Sequence, residues 1–251
     1  MKKYQVGFTS TTFRKERRIS KIVEIAVAAD AKYIEWGGDI HVKTVEEAMK
    51  AKKLSDEKGL IISSYASYYV IGSGDKEQWE RICKICQALG AKSVRVWLGK
   101  LGTGSDKFTD EMYAKLVEDG KAICDVAKQY DLIVSPECHR NTYNDTTDTF
   151  LKAAKDIDRD NFKTYFQSVY LDLEYDFDRL ERTIDYIENI HISYSEQSRE
   201  QLFKKHDKAF IDKLMAKVIE LDFDGIVLLE YTYLVASTKF MTKDIARLKN
   251  Y

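Results

Sequence analysis

Proline is almost absent: one residue, Pro136, in 251. That excludes a proline-rich linker or polyproline tract. Cysteine and histidine are scarce, at four each. Cys83 and Cys86 form a CxxC, but no second CxxC completes a four-thiol metal site. The surrounding RICKICQALG has helical periodicity and places both thiols on one face, where they are expected as core residues. No apolar run approaches the roughly 20 residues of a membrane helix. The opening MKKYQVGFTSTTF lacks the apolar centre of a signal peptide. Neither sign of charge dominates, with 40 Lys+Arg against 41 Asp+Glu. Such a balance supplies no general field for holding nucleic acid. The basic run Arg14, Lys15, Arg17 and Arg18 is interrupted by Glu16 and reads as a solvated loop and helix start. These absences predict a cytoplasmic protein with neither a membrane nor a nucleic-acid partner.

What is present is alternation. Strand-like runs at 4–9, 33–36, 60–65, 93–98, 132–137, 162–168, 187–193 and 226–231 are each followed by a helix-like segment. The helices are expected at 19–29, 45–58, 76–89, 110–130, 145–157, 177–186, 204–221 and 239–249. Gly59 and Gly90 follow two of them as C-caps, and Thr146 or Thr147 can cap a third. Alternation favours a parallel sheet covered by helices, and eight units favour closure into a (β/α)₈ barrel. A doubly wound sheet is the alternative, but no GxGxxG follows the first strand. No linker is visible, so residues 1–251 are expected to form a single domain.

Barrels of this kind carry their sites at the C-terminal strand ends. The polar residues there are Glu35, Tyr65, Arg95, Glu137 with His139, Gln167, His191 and Glu230. His41 follows in the loop after the second strand. Glu137 and His139 are two residues apart at the end of a strand and share a face. A buried Glu137 needs a partner. Glu137, Gln167, His191 and Glu230 come from four consecutive strands and make a site for one divalent cation, Mn, Mg, Co or Zn. The ordinary alternatives are a satisfied core histidine at His191 and an internal hydrogen bond at Gln167. Gly99, Gly102 and Gly104 form the one glycine-rich loop; it can cradle an anion but reads as a flexible active-site loop. The loops after strands seven and eight, YSEQSREQLF and YTYLVAST, contain no glycine and give no support to a phosphate site.

The segments YIEWGGDIHV, ISSYASYYVIG, LGAKSVRVWLGKLGTGSD, SPECHRNTYNDTTDTFL, NIHIS and VLLEYT resemble the sugar-phosphate isomerase/epimerase family. This xylose isomerase-like barrel group also contains endonuclease IV. The most specific stretch, E-x-H-x-x-T-x-x-D-T from Glu137 to Thr146, also resembles the 3-dehydroshikimate dehydratase branch. The resemblance implies one divalent metal held by Glu, Asp, His and Glu. Glu137, His191 and Glu230 match three of these positions, and Gln167 stands where the family has Asp. It implies Glu137 and Glu230 as an acid/base pair, with His139 as a further base. Arg95 would hold a substrate oxyanion, and Glu35, His41 and Tyr65 would bind hydroxyls. The implied chemistry is isomerisation or epimerisation of a small carbohydrate by proton abstraction beside a carbonyl, through an enediolate. Relatives often carry Trp shortly after the histidine, where this chain has Tyr194 and Ser195. A dehydratase on the same metal site and a non-catalytic sugar-binding barrel are the alternatives. An endonuclease IV-like trinuclear zinc cluster would need more histidines than four. Related barrels often self-associate as homo-oligomers, though nothing in the sequence fixes an interface.

Overall fold

The computed structural model describes residues 3–192, 207–230 and 238–251. Most of the two loops YSEQSREQLF and YTYLVAST, with Tyr194 and Ser195, lies outside them. The strands are β1 (Gln5–Thr9), β2 (Tyr33–Gly37), β3 (Ile61–Ile71), β4 (Ser93–Leu98), β5 (Ile133–Pro136), β6 (Thr164–Phe166), β7 (Ile187–Ile192) and β8 (Ile226–Leu229). The helices are α1 (Ile19–Ala28), α2 (Val45–Glu57), α3 (Lys76–Leu89), α4 (Asp110–Lys128), α5 (Thr147–Ile157), α6 (Leu173–Thr183), α7 (Asp207–Glu220) and α8 (Thr238–Lys249). All strand pairs are parallel, in the order β5-β4-β3-β2-β1-β8-β7-β6. The ring closes between β5 and β6. Val134 bridges Phe162 and Glu137 bridges Tyr165, while Val134 N–H donates to Asn161 O at 2.8 Å and Cys138 N–H to Tyr165 O at 3.1 Å. The expected (β/α)₈ barrel is therefore the observed fold.

Local chemistry sets the element ends. Thr44, Asp75, Thr109 and Thr146 accept a backbone N–H of the first turn of α2, α3, α4 and α5, satisfying donors the helix cannot. Gly90 closes α3 at φ 73°, a left-handed conformation that glycine adopts without steric cost. Most boundaries lie within a few residues of the sequence reading, and three elements differ in an instructive way. β3 continues to Ile71, re-pairing with β4 after a register shift between Ala66 and Val70. α6 starts four residues early because Asp172 caps it through the N–H groups of Glu174 and Tyr175. Strand β6 keeps only three residues in the sheet.

The helices lay their apolar faces on the outside of the ring. Ile22, Trp79, Cys86, Leu89, Phe150, Leu180, Met215, Val218 and Ile245 are all buried there. Cys83 and Cys86 are free and buried on α3, as core residues. The barrel interior is polar by contrast. Ser64, Ser93, Ser135, Tyr165 and Asn189 are buried, and Ser93 Oγ donates to Ser135 Oγ at 3.4 Å. This lining supports charged groups at the top of the strands. Among the described residues no helix is long and apolar enough to cross a membrane.

Candidate active site

Among the described residues, five acidic and basic side chains meet inside the ring. Glu35 comes from β2, Arg95 from β4 and His191 from β7. Glu137 and Glu230 follow β5 and β8 directly. All but Glu230 are buried; its side chain is 24% exposed, against 2% for Glu137. His191 Nδ1 lies 3.2 Å from Glu137 Oε1 and 3.2 Å from Glu230 Oε2. Its Nε2 lies 3.4 Å from Glu35 Oε1, within ion-pair range although not aligned as a hydrogen bond. Ser64 Oγ donates to the other Glu35 oxygen at 3.0 Å. Arg95 Nη1 donates to Glu137 Oε2 at 2.7 Å and lies 3.6 Å from Glu230 Oε1. The Arg95 guanidinium also faces the rings of Tyr68 and Trp97 at 5.7 and 5.4 Å.

The charges shift one another. Burial opposes protonation of His191, but Glu230, Glu35 and Glu137 outweigh it and raise its pKa well above the usual range. Burial likewise opposes ionisation of Glu230, yet His191 and Arg95 hold its carboxyl down at about 2. Glu35 is lowered in the same way, burial being overcome by His191 and then Arg95. Arg95 is raised, because Glu137, Glu35 and Glu230 overcome its burial. Three carboxylates thus face two cations in a water-poor space, where a lone charge would be expensive.

The same arrangement fits a divalent cation. Glu137, His191 and Glu230 each offer one ligand atom, and the three atoms lie within 4.8 Å of one another. The 3.2 Å spacings about His191 Nδ1 match neighbouring donors about 3 Å apart around an ion with bonds of roughly 2.1 Å. Glu35 behind Nε2 is the outer carboxylate that a ligating histidine commonly has. Gln167 donates its amide nitrogen to Cys138 O at 2.8 Å, which leaves its carbonyl oxygen to offer.

The remaining sequence candidates occupy different positions. Both ring nitrogens of His41 are engaged, Nδ1 with Ser10 Oγ at 3.0 Å and Nε2 with Glu16 O at 2.7 Å. Tyr65 donates its hydroxyl to Val42 O at 2.9 Å. Gly38 makes room for that hydroxyl, because a Cβ there would stand 2.4 Å from it. These two side chains tie the β1 and β2 loops down. His139 donates Nδ1–H to Arg140 O at 2.8 Å, which leaves Nε2 with the lone pair, and its ring meets Trp97 edge-on at 5.0 Å. The glycine-rich loop is docked on the segment after β5. Gly102 N–H donates to Asn141 O at 2.9 Å, and Ser105 N–H to Asp145 Oδ2 at 3.1 Å. That carboxylate already takes an N–H an anion would use. In the basic run, Arg14 pairs with Asp39 at 2.6 Å and donates to Tyr68 OH at 3.0 Å. Ser64, Tyr68, Trp97 and Tyr165 were not anticipated. The two-residue strand period is the signal for two of them, Trp97 beside Arg95 and Tyr165 beside Gln167; Ser64 and Tyr68 stand at odd spacings from Tyr65 and carry none.

A family model for xylose isomerase-like TIM barrels matches residues 23–251. The chain belongs to that family. Solved structures agree on the family's fold at low identity. The probable 3-DHS dehydratase of petrobactin synthesis from Bacillus anthracis is 19% identical, with a TM-score of 0.80 over 98% of this chain and 99% of that one. The 3-keto-D-glucoside 4-epimerase of E. coli is 17% identical, with a TM-score of 0.77 over 99% and 100%. The D-allulose 3-epimerase of a Methylomonas species, in complex with D-allulose, is 14% identical, with a TM-score of 0.77 over 100% and 98%. No curated protein sequence matches the chain.

Proposed function

We propose that this barrel is a divalent-metal-dependent isomerase or epimerase of a small sugar or sugar derivative. The observation that carries the reading is the convergence of Glu137, His191 and Glu230 ligand atoms at the C-terminal strand ends. Similar barrels bear the names D-allulose 3-epimerase and 3-keto-D-glucoside 4-epimerase. Glu137, His191, Glu230 and the Gln167 carbonyl would hold the metal, Mn, Mg, Co or Zn. When bound, the metal supplies Lewis-acid stabilisation of negative charge on adjacent substrate oxygens.

The chain's own groups supply the proton transfer. Glu230 is the most open of the carboxylates and is kept ionised by His191 and Arg95; it takes the proton beside the carbonyl. Glu137, across the site, delivers a proton to the other face once it has itself taken one from solvent. Gln167, neutral where relatives have a carboxylate, gives a site of lower charge and weaker metal affinity. The four thiols are free and buried, in keeping with a cytoplasmic setting. Self-association belongs to the same proposal.

A second reading is a dehydratase of the 3-dehydroshikimate type, on the same metal site. It is favoured by His139, whose Nε2 is left with a lone pair for use as a general base, and by the dehydratase among the similar structures. The test is metal analysis of wild type and Glu137→Ala, then turnover of ketoses, aldoses and dehydroshikimate by wild type and Glu230→Gln. About one metal equivalent, lost in Glu137→Ala, is expected. Turnover should fall at least 100-fold in Glu230→Gln with the fold intact. Wild type that stays metal-free after reconstitution, or Glu230→Gln with unchanged turnover, would sink the assignment.

A further inference from the structure

Arg95 divides the two metal-site carboxylates oxygen by oxygen. Glu137 turns Oε1 to His191 Nδ1 at 3.2 Å and Oε2 to Arg95 Nη1 at 2.7 Å. Glu230 turns Oε2 to the same Nδ1 at 3.2 Å and Oε1 to the same Nη1 at 3.6 Å. The inner oxygens converge on the histidine; the outer ones face one guanidinium. That guanidinium is fixed, buried at 3% exposure and flanked by Tyr68 and Trp97. Its planar fork cannot be deprotonated at working pH and is suited to facing carboxylates.

We propose that Arg95 is a positioning residue that restricts Glu137 and Glu230 to one metal-facing oxygen each, and so keeps coordination positions open for substrate. The inference rests on the metal-dependent reading above and deepens it. A carboxylate free of an outer partner can bind an ion through both oxygens. Two such carboxylates, with His191 and Gln167, would fill a six-coordinate ion and leave no place for substrate. With Arg95 on the outer oxygens the protein contributes four donors, and two positions remain for the adjacent oxygens of a hydroxycarbonyl substrate. The charge balance agrees. Glu35, Glu137 and Glu230 bring three negative charges, and Arg95 with a divalent ion brings three positive ones. Arg95 therefore coexists with the metal and acts through the carboxylates, whereas a purely substrate-holding arginine would leave the substrate-free ion unaffected.

The experiment loads wild type, Arg95→Met and Arg95→Lys with Mn²⁺ in the absence of substrate. Free Mn²⁺ is counted by electron paramagnetic resonance, and exchangeable inner-sphere water by proton relaxation. Wild type should bind one Mn²⁺ that carries exchangeable water. In Arg95→Met the relaxation enhancement per bound ion should fall by about half, as carboxylates close over open positions, while Mn²⁺ binds about tenfold more tightly once the neighbouring positive charge is gone. Arg95→Lys keeps the charge but offers a single point, and should lie between the two; it carries the test if Arg95→Met does not fold. Wild-type relaxation per bound ion in the variants overturns the inference while leaving the metal site standing. Wild type that binds no Mn²⁺ removes the metal-dependent reading, and this inference with it.

Discussion

Replacing Asp176 with asparagine should stabilise the protein at neutral pH and flatten its stability against pH. Asp176 sits on α6 with no exposed surface, and neither carboxylate oxygen has a hydrogen-bond partner. The Oγ of Ser168 is likewise buried and unpartnered. Arg179, one turn on, directs its guanidinium to Asn144 and Tyr175 instead. Burial dominates, and although Ser168 and Arg179 favour the ionised form, the carboxyl rises from an ordinary 3.8 to about 6. The unfolded chain loses this proton near pH 4 and the folded chain near pH 6. Between those values the folded state holds the extra proton, so stability falls as pH rises. The penalty is absent below the unfolded pKa and complete above the folded one. At 1.36 kcal/mol per pKa unit it amounts to about 3 kcal/mol at most. Asparagine has nearly the same shape and no charge to bury. Urea unfolding of wild type and Asp176→Asn at pH 4.5, 6 and 7.5 reads the effect. The variant's advantage should approach 2–3 kcal/mol at pH 7.5 and shrink to about 1 kcal/mol at pH 4.5. An equal change at all three pH values, or destabilisation at pH 7.5, would refute the reasoning and mean that the carboxylate is ionised and paired.

Three further outcomes follow from the site and the barrel wall. Gln167→Asp adds a negative charge beside the proposed metal ligands and should tighten divalent-ion binding by about tenfold or more, read by chelator competition. Glu35→Gln keeps the shape behind His191 Nε2 but removes the charge, and should weaken metal binding about 10- to 100-fold with little loss of secondary structure. Gly7→Ala should destabilise the barrel by about 1–3 kcal/mol in thermal unfolding, since the new Cβ would stand 2.4 Å from Tyr33 O, a backbone atom that cannot turn aside.

The fold was legible because each unit carries an apolar run and an amphipathic helix, with a cap residue opening α2, α3, α4 and α5. The convergence of Glu137, His191 and Glu230 was legible for a related reason: polar residues at the ends of successive buried strands point into one space. Partnerships across the ring were not legible. Glu35 and His191 are 156 residues apart in sequence, and nothing local says that β2 and β7 face each other with a carboxylate behind an imidazole. Arg95 was expected on a substrate oxyanion, and its bond to Glu137 depends on the stagger between β4 and β5. His41 and Tyr65 stand out in the sequence by position alone; the loops fold back and supply backbone carbonyls for both. The early start of α6 was hidden because Asp172 to Asp176 reads as loop, although Asp172 is a cap and Asp176 is buried.

The ring's lightest seam lies between β5 and β6, where two isolated bridges stand in for a full ladder. Glu137 follows one bank of that seam and Gln167 the other. His191 and Glu230 belong to the Gln167 side, Glu35 and Arg95 to the Glu137 side. Every ion pair from Glu137 or Glu35 to His191, and from Arg95 to Glu230, is therefore a tie across the barrel's interior. The charged cluster acts as an internal hoop for the wall in which it sits. Loosening it should speed amide exchange first along β5 and β6, far from any change in the helices. A variant of the candidate site is also a variant of the barrel's closure.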